Sequence, residues 1–326
     1  MYHGIPTRNS FEGVANYHGY NIPIKIFEQQ ALYLKRNCNV VRLADFLADR
    51  NLSNIKMNIV ITFDDGYENN YFNAFQVLAR HSLPAIYALP TAFIGDRQPL
   101  WNDVIEFLVN HTRRSDAQFE WENEKHNFSI RDFGERLNLY NWLLLKCVQI
   151  AQVDRENFID EAIDALEVIV NPEELFRNED YRPLNETQIQ EMAESPLADF
   201  ASHSVHHFLL SRVDLELKRA ELSISKRQVE AITQSPCRYF CVPGGMYDVE
   251  LVEEAFRLGY EIVLTSDPGL AKNTGRVLNR NGLFHQPSIY WFADQIHGPT
   301  LEALAGVRRV REMIRSRFKY RSSMGQ

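Results

Sequence analysis

Apolar and polar positions change period in a regular order along this chain. Phe27–Leu34 has the spacing of an amphipathic helix. Val40–Leu43 reads as extended, with a short helix around Ala44–Leu47 after it. Met57-Asn58-Ile59-Val60-Ile61-Thr62-Phe63 is β-branched and apolar and stops abruptly at Asp64-Asp65-Gly66. Such a run predicts a parallel strand buried on both faces. Tyr67–Arg80 returns to helical spacing through Phe72, Phe75, Val77 and Leu78, and Leu83–Leu89 is a second strand. Strand, helix, strand at this spacing is the signature of a parallel α/β sheet.

The character changes from about residue 97 to 196. Asn141–Lys146 and Phe158–Leu166 read as helices and strand-like runs are scarce, so this stretch predicts a mainly helical insertion. No Gly/Pro/Ser-rich linker sets it apart, and the expectation is a single domain over residues 1–326. The alternation then resumes. Leu197–Ser202 is a short strand, Leu215–Gln234 a long charged helix, Tyr239–Val242 a strand and Val249–Leu258 a helix. Glu261–Leu264 and Gly275–Leu278 are further strands, and a helix is expected from about Leu301 to Phe318.

Composition narrows the classes. A chain of 326 residues, 45% hydrophobic and 24% charged, suits one α/β barrel with an insertion. A formal net charge of -8 gives no nucleic-acid surface. The opening residues lack a basic start and an apolar run, and no stretch is long and apolar enough to span a membrane; the expectation is a cytoplasmic protein. Cys38, Cys147, Cys237 and Cys241 are too few and scattered for a disulfide framework and are expected to be reduced, partly buried thiols. The C-terminal stretch carries Arg308, Arg309, Arg311, Arg315, Arg317, Lys319 and Arg321 beside Val307, Val310, Met313, Ile314 and Phe318. Its expected role is a solvated outer helix packed on the barrel, with contact to an anionic membrane or lipid-linked substrate as the alternative.

Three segments carry candidate chemistry. Asp64 and Asp65 follow a strand end, where functional groups collect in parallel sheets. Adjacent carboxylates repel unless a positive charge shares the site, and a metal ion would relieve this, with one Asp as ligand and the other free as a base. A helix N-cap explains one Asp but fits two less well. His203 and His207 lie four apart; on a helical turn both imidazoles would share one face, with His206 pointing elsewhere. Two histidines and a carboxylate leave a coordination position open for water. Arg238-Tyr239-Phe240-Cys241-Val242-Pro243-Gly244-Gly245 is a strand ending in a turn whose amides are candidates for holding an oxyanion, and Arg238 is a candidate partner for a site carboxylate. Trp101, after the second strand, is expected as a core residue at a helix start, with sugar stacking as the alternative.

In order and spacing, Thr62-Phe63-Asp64-Asp65-Gly66, His203-Ser204-Val205-His206-His207 and Arg238 to Gly245 resemble the successive motifs of the polysaccharide deacetylase family with NodB homology, carbohydrate esterase family four. The resemblance spans roughly Met57 to Leu283, and the opening Tyr2-His3-Gly4 is similar to the start of many bacterial members. It implies a distorted (β/α) barrel with fewer than eight strands. It also implies that Asp65, His203 and His207 bind a divalent metal, with zinc the expected ion. Asp64 would then be the general base, Arg238 would orient it, and the Gly244 backbone N–H would face the oxyanion. Gly244 stands where the family often places Tyr. No Trp follows Thr265-Ser266-Asp267-Pro268 as the family pattern would have it, and the nearest match to the family's late general-acid histidine is His285. Leu278-Asn279-Arg280 resembles a Leu-x-Arg found there in some members.

The resulting expectation is metal-dependent removal of an N-acetyl group from a sugar, in particular an intracellular, nucleotide- or lipid-linked intermediate of a surface glycan. The competing readings are hydrolysis of a non-sugar amide on the same scaffold, and a catalytically inactive glycan-binding barrel.

Overall fold

The computed structural model describes residues 1–122, 124–286 and 288–297. Six strands form one sheet: β1 (Ile61–Phe63), β2 (Ala85–Leu89), β3 (Ala198–Ser202), β4 (Tyr239–Cys241), β5 (Ile262–Leu264) and β6 (Val277–Leu278). They pair side by side in chain order, and every pairing is parallel. The sheet curls into an incomplete barrel, as the strand–helix alternation predicted.

Most strand side chains are buried on both faces, which is why these segments are largely apolar instead of alternating; Asp199 and Val277 are the more open exceptions. Phe63, Tyr87, Phe200, Phe240 and Val263 pack outward against helices such as Ile24–Asn37 and Leu215–Thr233. Ile86, Ala88, Ala201, Cys241, Leu264 and Leu278 fill the inner face. The gap between β1 and β6 is bridged by the first residues of the chain. Tyr2 N–H donates to the Thr62 carbonyl at 2.8 Å, and Asp64 N–H to that of Tyr2 at 2.9 Å. On the other side Leu283 N–H donates to the Met1 carbonyl at 2.9 Å. The opening residues thus lie between two strand ends of the barrel.

Three local readings change. The run 57–63 is broken: Asn58–Ile59 pairs with Asn39–Val40 in a separate two-stranded ladder, and only Ile61–Phe63 joins the main sheet. The helix expected over 67–80 starts as a π-helix at Asn70–Phe75 and becomes α only at Gln76–His81. Within and beside that turn, Asn69 Oδ1 accepts from Ile5 N–H at 2.8 Å and Asn73 Nδ2 donates to the Ile5 carbonyl at 2.7 Å. These buried amides clamp the segment that follows His3, and π-bulges often mark such places.

Between β2 and β3 the helices Trp101–His111, Phe133–Gln149 and Gln152–Leu166 are joined by a hairpin that the sequence reading lacked, Asp116–Trp121 with Glu124–Ser129. The second strand reads Glu-Lys-His-Asn-Phe-Ser, whose polarity hides its strand character. What holds it is cross-strand packing of Phe119 and Phe128 with Trp142 on the neighbouring helix. Trp101 is half-buried at its helix start under the Arg155 guanidinium, 5.2 Å from the ring centre, as a packing residue would be. All four cysteines are free and buried. No helix among the described residues is long and apolar enough to cross a membrane. The basic C-terminal segment, with the helix expected there, lies outside the described residues.

Candidate active site

The site lies where β1, β3, β4 and β6 end. Asp64 and Asp65 leave β1, and His203 leaves β3. Asp65, His203 and His207 offer ligand atoms all within 4.8 Å of one another, and all three are buried. Asp65 Oδ1 lies 3.3 Å from Nε2 of His203 and 3.3 Å from Nε2 of His207. His203 Nδ1 lies 2.8 Å from the Cys241 carbonyl, which fixes the ring so that Nε2 faces Asp65. The two histidines do not ride on a helix. Residues 203–208 are irregular, and left-handed backbone at Ser204 (φ 64°) and His207 (φ 56°) folds the segment back on itself. Asp65 is left-handed too, at φ 73°. Such conformations cost of order 1–3 kcal/mol each and cluster at functional sites.

Asp64 is held chiefly by a different partner, although its Oδ2 still lies 4.0 Å from His203 Nε2. Its carboxylate receives a two-pronged ion pair from Arg280, Nη1 to Oδ1 at 2.6 Å and Nη2 to Oδ2 at 2.8 Å. Both side chains are about 95% buried, at 5% and 4% exposure. Burial alone would push the Asp64 carboxyl up; the Arg280 charge, then that of His203, outweighs it and holds the group below its ordinary value. Asp65 is held well below that range, with burial opposed by the hydrogen bonds of His203 and His207.

Arg238 does not do this. It is half exposed and lies 3.6 Å from Glu261. The strand direction explains the correction. Arg238 precedes β4 and so sits at the N-terminal mouth of the sheet, whereas the site is built at the C-terminal ends. Arg280 follows β6 at the correct end, where Nε also donates to the Thr265 carbonyl at 2.9 Å. The signal for it in the sequence was Leu278-Asn279-Arg280.

The general-acid candidate moves as well. His285 is tied through its backbone N–H to the Gly19 carbonyl at 2.6 Å, and burial alone lowers its pKa; neither site carboxylate acts on it. His3, unlike His285, is acted on by both acids. Burial lowers its pKa overall, against the opposing charges of Asp65 and then Asp64. Its Nδ1 is buried and has no hydrogen-bond partner among the described residues. The sequence reading noted Tyr2-His3-Gly4 without giving His3 a role, because only the closure of the barrel brings it beside β1. Gly244 lies in the turn after β4 at φ 59°, where a Cβ would come within 2.4 Å of the Leu209 side chain, so a larger residue cannot stand there unaltered.

One buried carboxylate outside the motifs supports the site. Glu221, on the helix Leu215–Thr233, accepts from the backbone N–H groups of Val205 and His206 at 2.9 and 3.0 Å, and lies 2.5 Å from His206 Nδ1. It pins the loop that carries both site histidines and explains why His206 points away from them. Glu221→Ala is expected to weaken metal affinity by about 10–100-fold, the usual effect of removing an outer support. Titrating the metal-stripped variant with zinc checks this, and unchanged affinity would show that the loop holds itself.

Comparison with known proteins agrees with this architecture. Residues 152–263 match the family model described as polysaccharide deacetylase, a stretch that holds His203, His207 and Gly244 but not Asp64 or Asp65. YxkH of Bacillus subtilis (strain 168), named as a polysaccharide deacetylase, is 27% identical over 88 residues, which is 27% of this chain and 31% of that protein. Among solved structures, the Streptococcus pyogenes deacetylase PplD, in complex with acetate, aligns with a TM-score of 0.58 at 17% identity over 91% of this chain and 96% of that one. A polysaccharide deacetylase from Bacillus cereus aligns with a TM-score of 0.57 at 19% identity over 90% and 67%. The chain thus resembles the polysaccharide deacetylases in the sequence of residues 152–263 and shares the fold of these solved structures, an incomplete parallel barrel.

Proposed function

We propose that this chain is a metal-dependent N-deacetylase acting on an acetylated sugar. The observation that supports it best is the division of labour between neighbours: Asp65 in contact with two histidines, Asp64 paired with Arg280 and kept ionised by it. The donor set suits a metal. Two ligands about 2.0–2.1 Å from a tetrahedral zinc ion stand about 3.3–3.4 Å apart, and Asp65 Oδ1 stands 3.3 Å from both imidazole nitrogens. One carboxylate and two imidazoles on an open position suit zinc above magnesium or calcium.

A divalent ion held by Asp65, His203 and His207 would supply Lewis acidity toward the acyl carbonyl and toward water. The protein groups supply the rest. Asp64 accepts the proton of the attacking water, with Arg280 fixing its orientation and charge. The Gly244 N–H faces the developing oxyanion. His3 delivers a proton to the departing nitrogen; burial lowers its pKa against the pull of Asp65 and Asp64, which makes it a ready donor once charged. The names of the relatives favour a glycan over a non-sugar amide.

The test is acetate release from N-acetylated sugars by the purified chain, with metal content measured alongside. Activity should vanish on chelation and return with zinc. Metal-loaded protein that releases acetate only from non-sugar amides would overturn the sugar assignment, and protein that binds glycan with no metal would favour the inactive barrel. Within the scheme, His3→Ala should lower kcat by about 10²-fold with metal content unchanged, whereas His285→Ala should leave it near wild type. The opposite ranking would return the acid role to His285.

A further inference from the structure

A chain of aromatic rings leads from the candidate site to solvent. It starts at His3, whose ring centre is 4.8 Å from that of Tyr20. Tyr20 is 5.7 Å from Phe284 on one side and 6.0 Å from His18 on the other. His18 is 5.4 Å from Tyr17, and Tyr17 is 6.5 Å from Phe133. The rings come from three distant parts of the chain: the opening segment, the insertion between β2 and β3, and the loop after β6.

Four of them are far more open than core aromatics. Tyr17 is 50% exposed, Tyr20 46%, Phe133 51% and Phe284 40%. Large apolar rings gathered on a surface mark a contact site, since scattered ones would be unremarkable. The junction is also built. His285 N–H donates to the Gly19 carbonyl, and Gly19 sits at φ 75°, where a Cβ would meet that His285 nitrogen at 3.0 Å. Only a glycine lets the two loops approach so closely and set Tyr20 beside Phe284. Tyr20 itself is near enough to the reaction centre for the Asp65 charge, after burial, to raise its phenol pKa.

We propose that Tyr17, Tyr20, Phe133 and Phe284 form a stacking platform for the sugar units that flank the acetylated one. The substrate is then an extended glycan laid across the mouth of the site and not a single sugar. This rests on the deacetylase reading. Sugar rings carry apolar C–H faces, and Tyr and Phe meet such faces with wide, rigid surfaces that lose little entropy on binding. Continuity with the site through His3 and Tyr20 is what selects a glycan as the occupant. A row of rings, in place of one ring, is what selects a chain.

The experiment compares acetate release from N-acetylglucosamine with that from its β-1,4-linked pentamer. For the wild type, kcat/KM should rise at least tenfold with length. Tyr17→Ala and Phe133→Ala should each remove most of that rise through KM, by roughly tenfold for a lost ring contact, with kcat for the pentamer little changed. Tyr17→Trp, which keeps a stacking face, should retain it. Calorimetry with the fully deacetylated pentamer reads the platform apart from hydrolysis. Binding that is lost in Tyr17→Ala upholds the platform even where no acetate is released, and the fault then lies with the deacetylase reading. A length dependence identical in wild type and folded variants overturns the platform. So does loss of binding to anionic vesicles in those variants with no effect on the pentamer.

Discussion

Arg280→Leu is expected to destabilise the chain by about 3–5 kcal/mol and to abolish most activity, while Arg238→Ala costs no more than about 1 kcal/mol. The difference follows from where each charge sits. Arg238 is half exposed and meets Glu261 at 3.6 Å, in water that screens the pair. Arg280 and Asp64 are both about 95% buried, and removing one leaves the other without a counter-charge in a dry site. The cost should depend on pH. In the wild type the folded-state pKa of Asp64 is depressed, so the pair's contribution is present above the unfolded pKa and fades as pH falls through the folded one. Without Arg280 burial acts on Asp64 with less opposition and its folded pKa rises. The variant should therefore recover part of the lost stability as acid protonates Asp64. The acid limb of its pH–rate profile should also move to higher pH. Urea unfolding of both variants at neutral and acid pH checks the first point, and residual activity against pH the second. Equal stability losses for Arg238→Ala and Arg280→Leu would refute the assignment.

Asp64→Asn should lower kcat by about 10²–10⁴-fold while the metal stays bound. Asparagine keeps the shape of the side chain and can accept one of the two hydrogen bonds from Arg280, but cannot take a proton from water. Asp65, whose oxygen meets both imidazoles, is untouched by the change. Metal content and acetate release measured on one preparation separate the two acids: intact metal with lost turnover is the expected pair of results. The variant must be assayed well below its unfolding temperature, because Arg280 now faces a neutral partner. A variant as active as wild type would sink the base role. Loss of metal together with activity would mean that Asp64 is itself a ligand.

How far the sequence reached can be judged from these residues. Parallel strands buried on both faces write a continuous apolar run, so β1, β2 and β3 were legible, and with them the places where functional groups collect. The strand ends carrying Asp64 and Asp65, and His203, were therefore readable from neighbours in the chain alone. The hairpin Asp116–Ser129 was not, because its stability comes from Trp142 and its paired strand and its second half is polar. The helical placement of His203 and His207 was wrong for a related reason. Spacing four fits a helix, but here left-handed residues and Glu221 set the loop.

What the sequence by itself determined is the set of groups bound to strand ends: two adjacent acids, two histidines four apart and a glycine turn. Their order along the chain and the direction of a parallel strand put them on one rim. What only the tertiary structure decided is which partners reach that rim from elsewhere. Arg280 lies 216 residues from Asp64 and arrives by way of β6. His3 arrives because the opening residues bridge the gap between β1 and β6. Local pattern carries no information on either, since a buried charge selects its counter-charge by proximity in the folded barrel and not by distance along the chain.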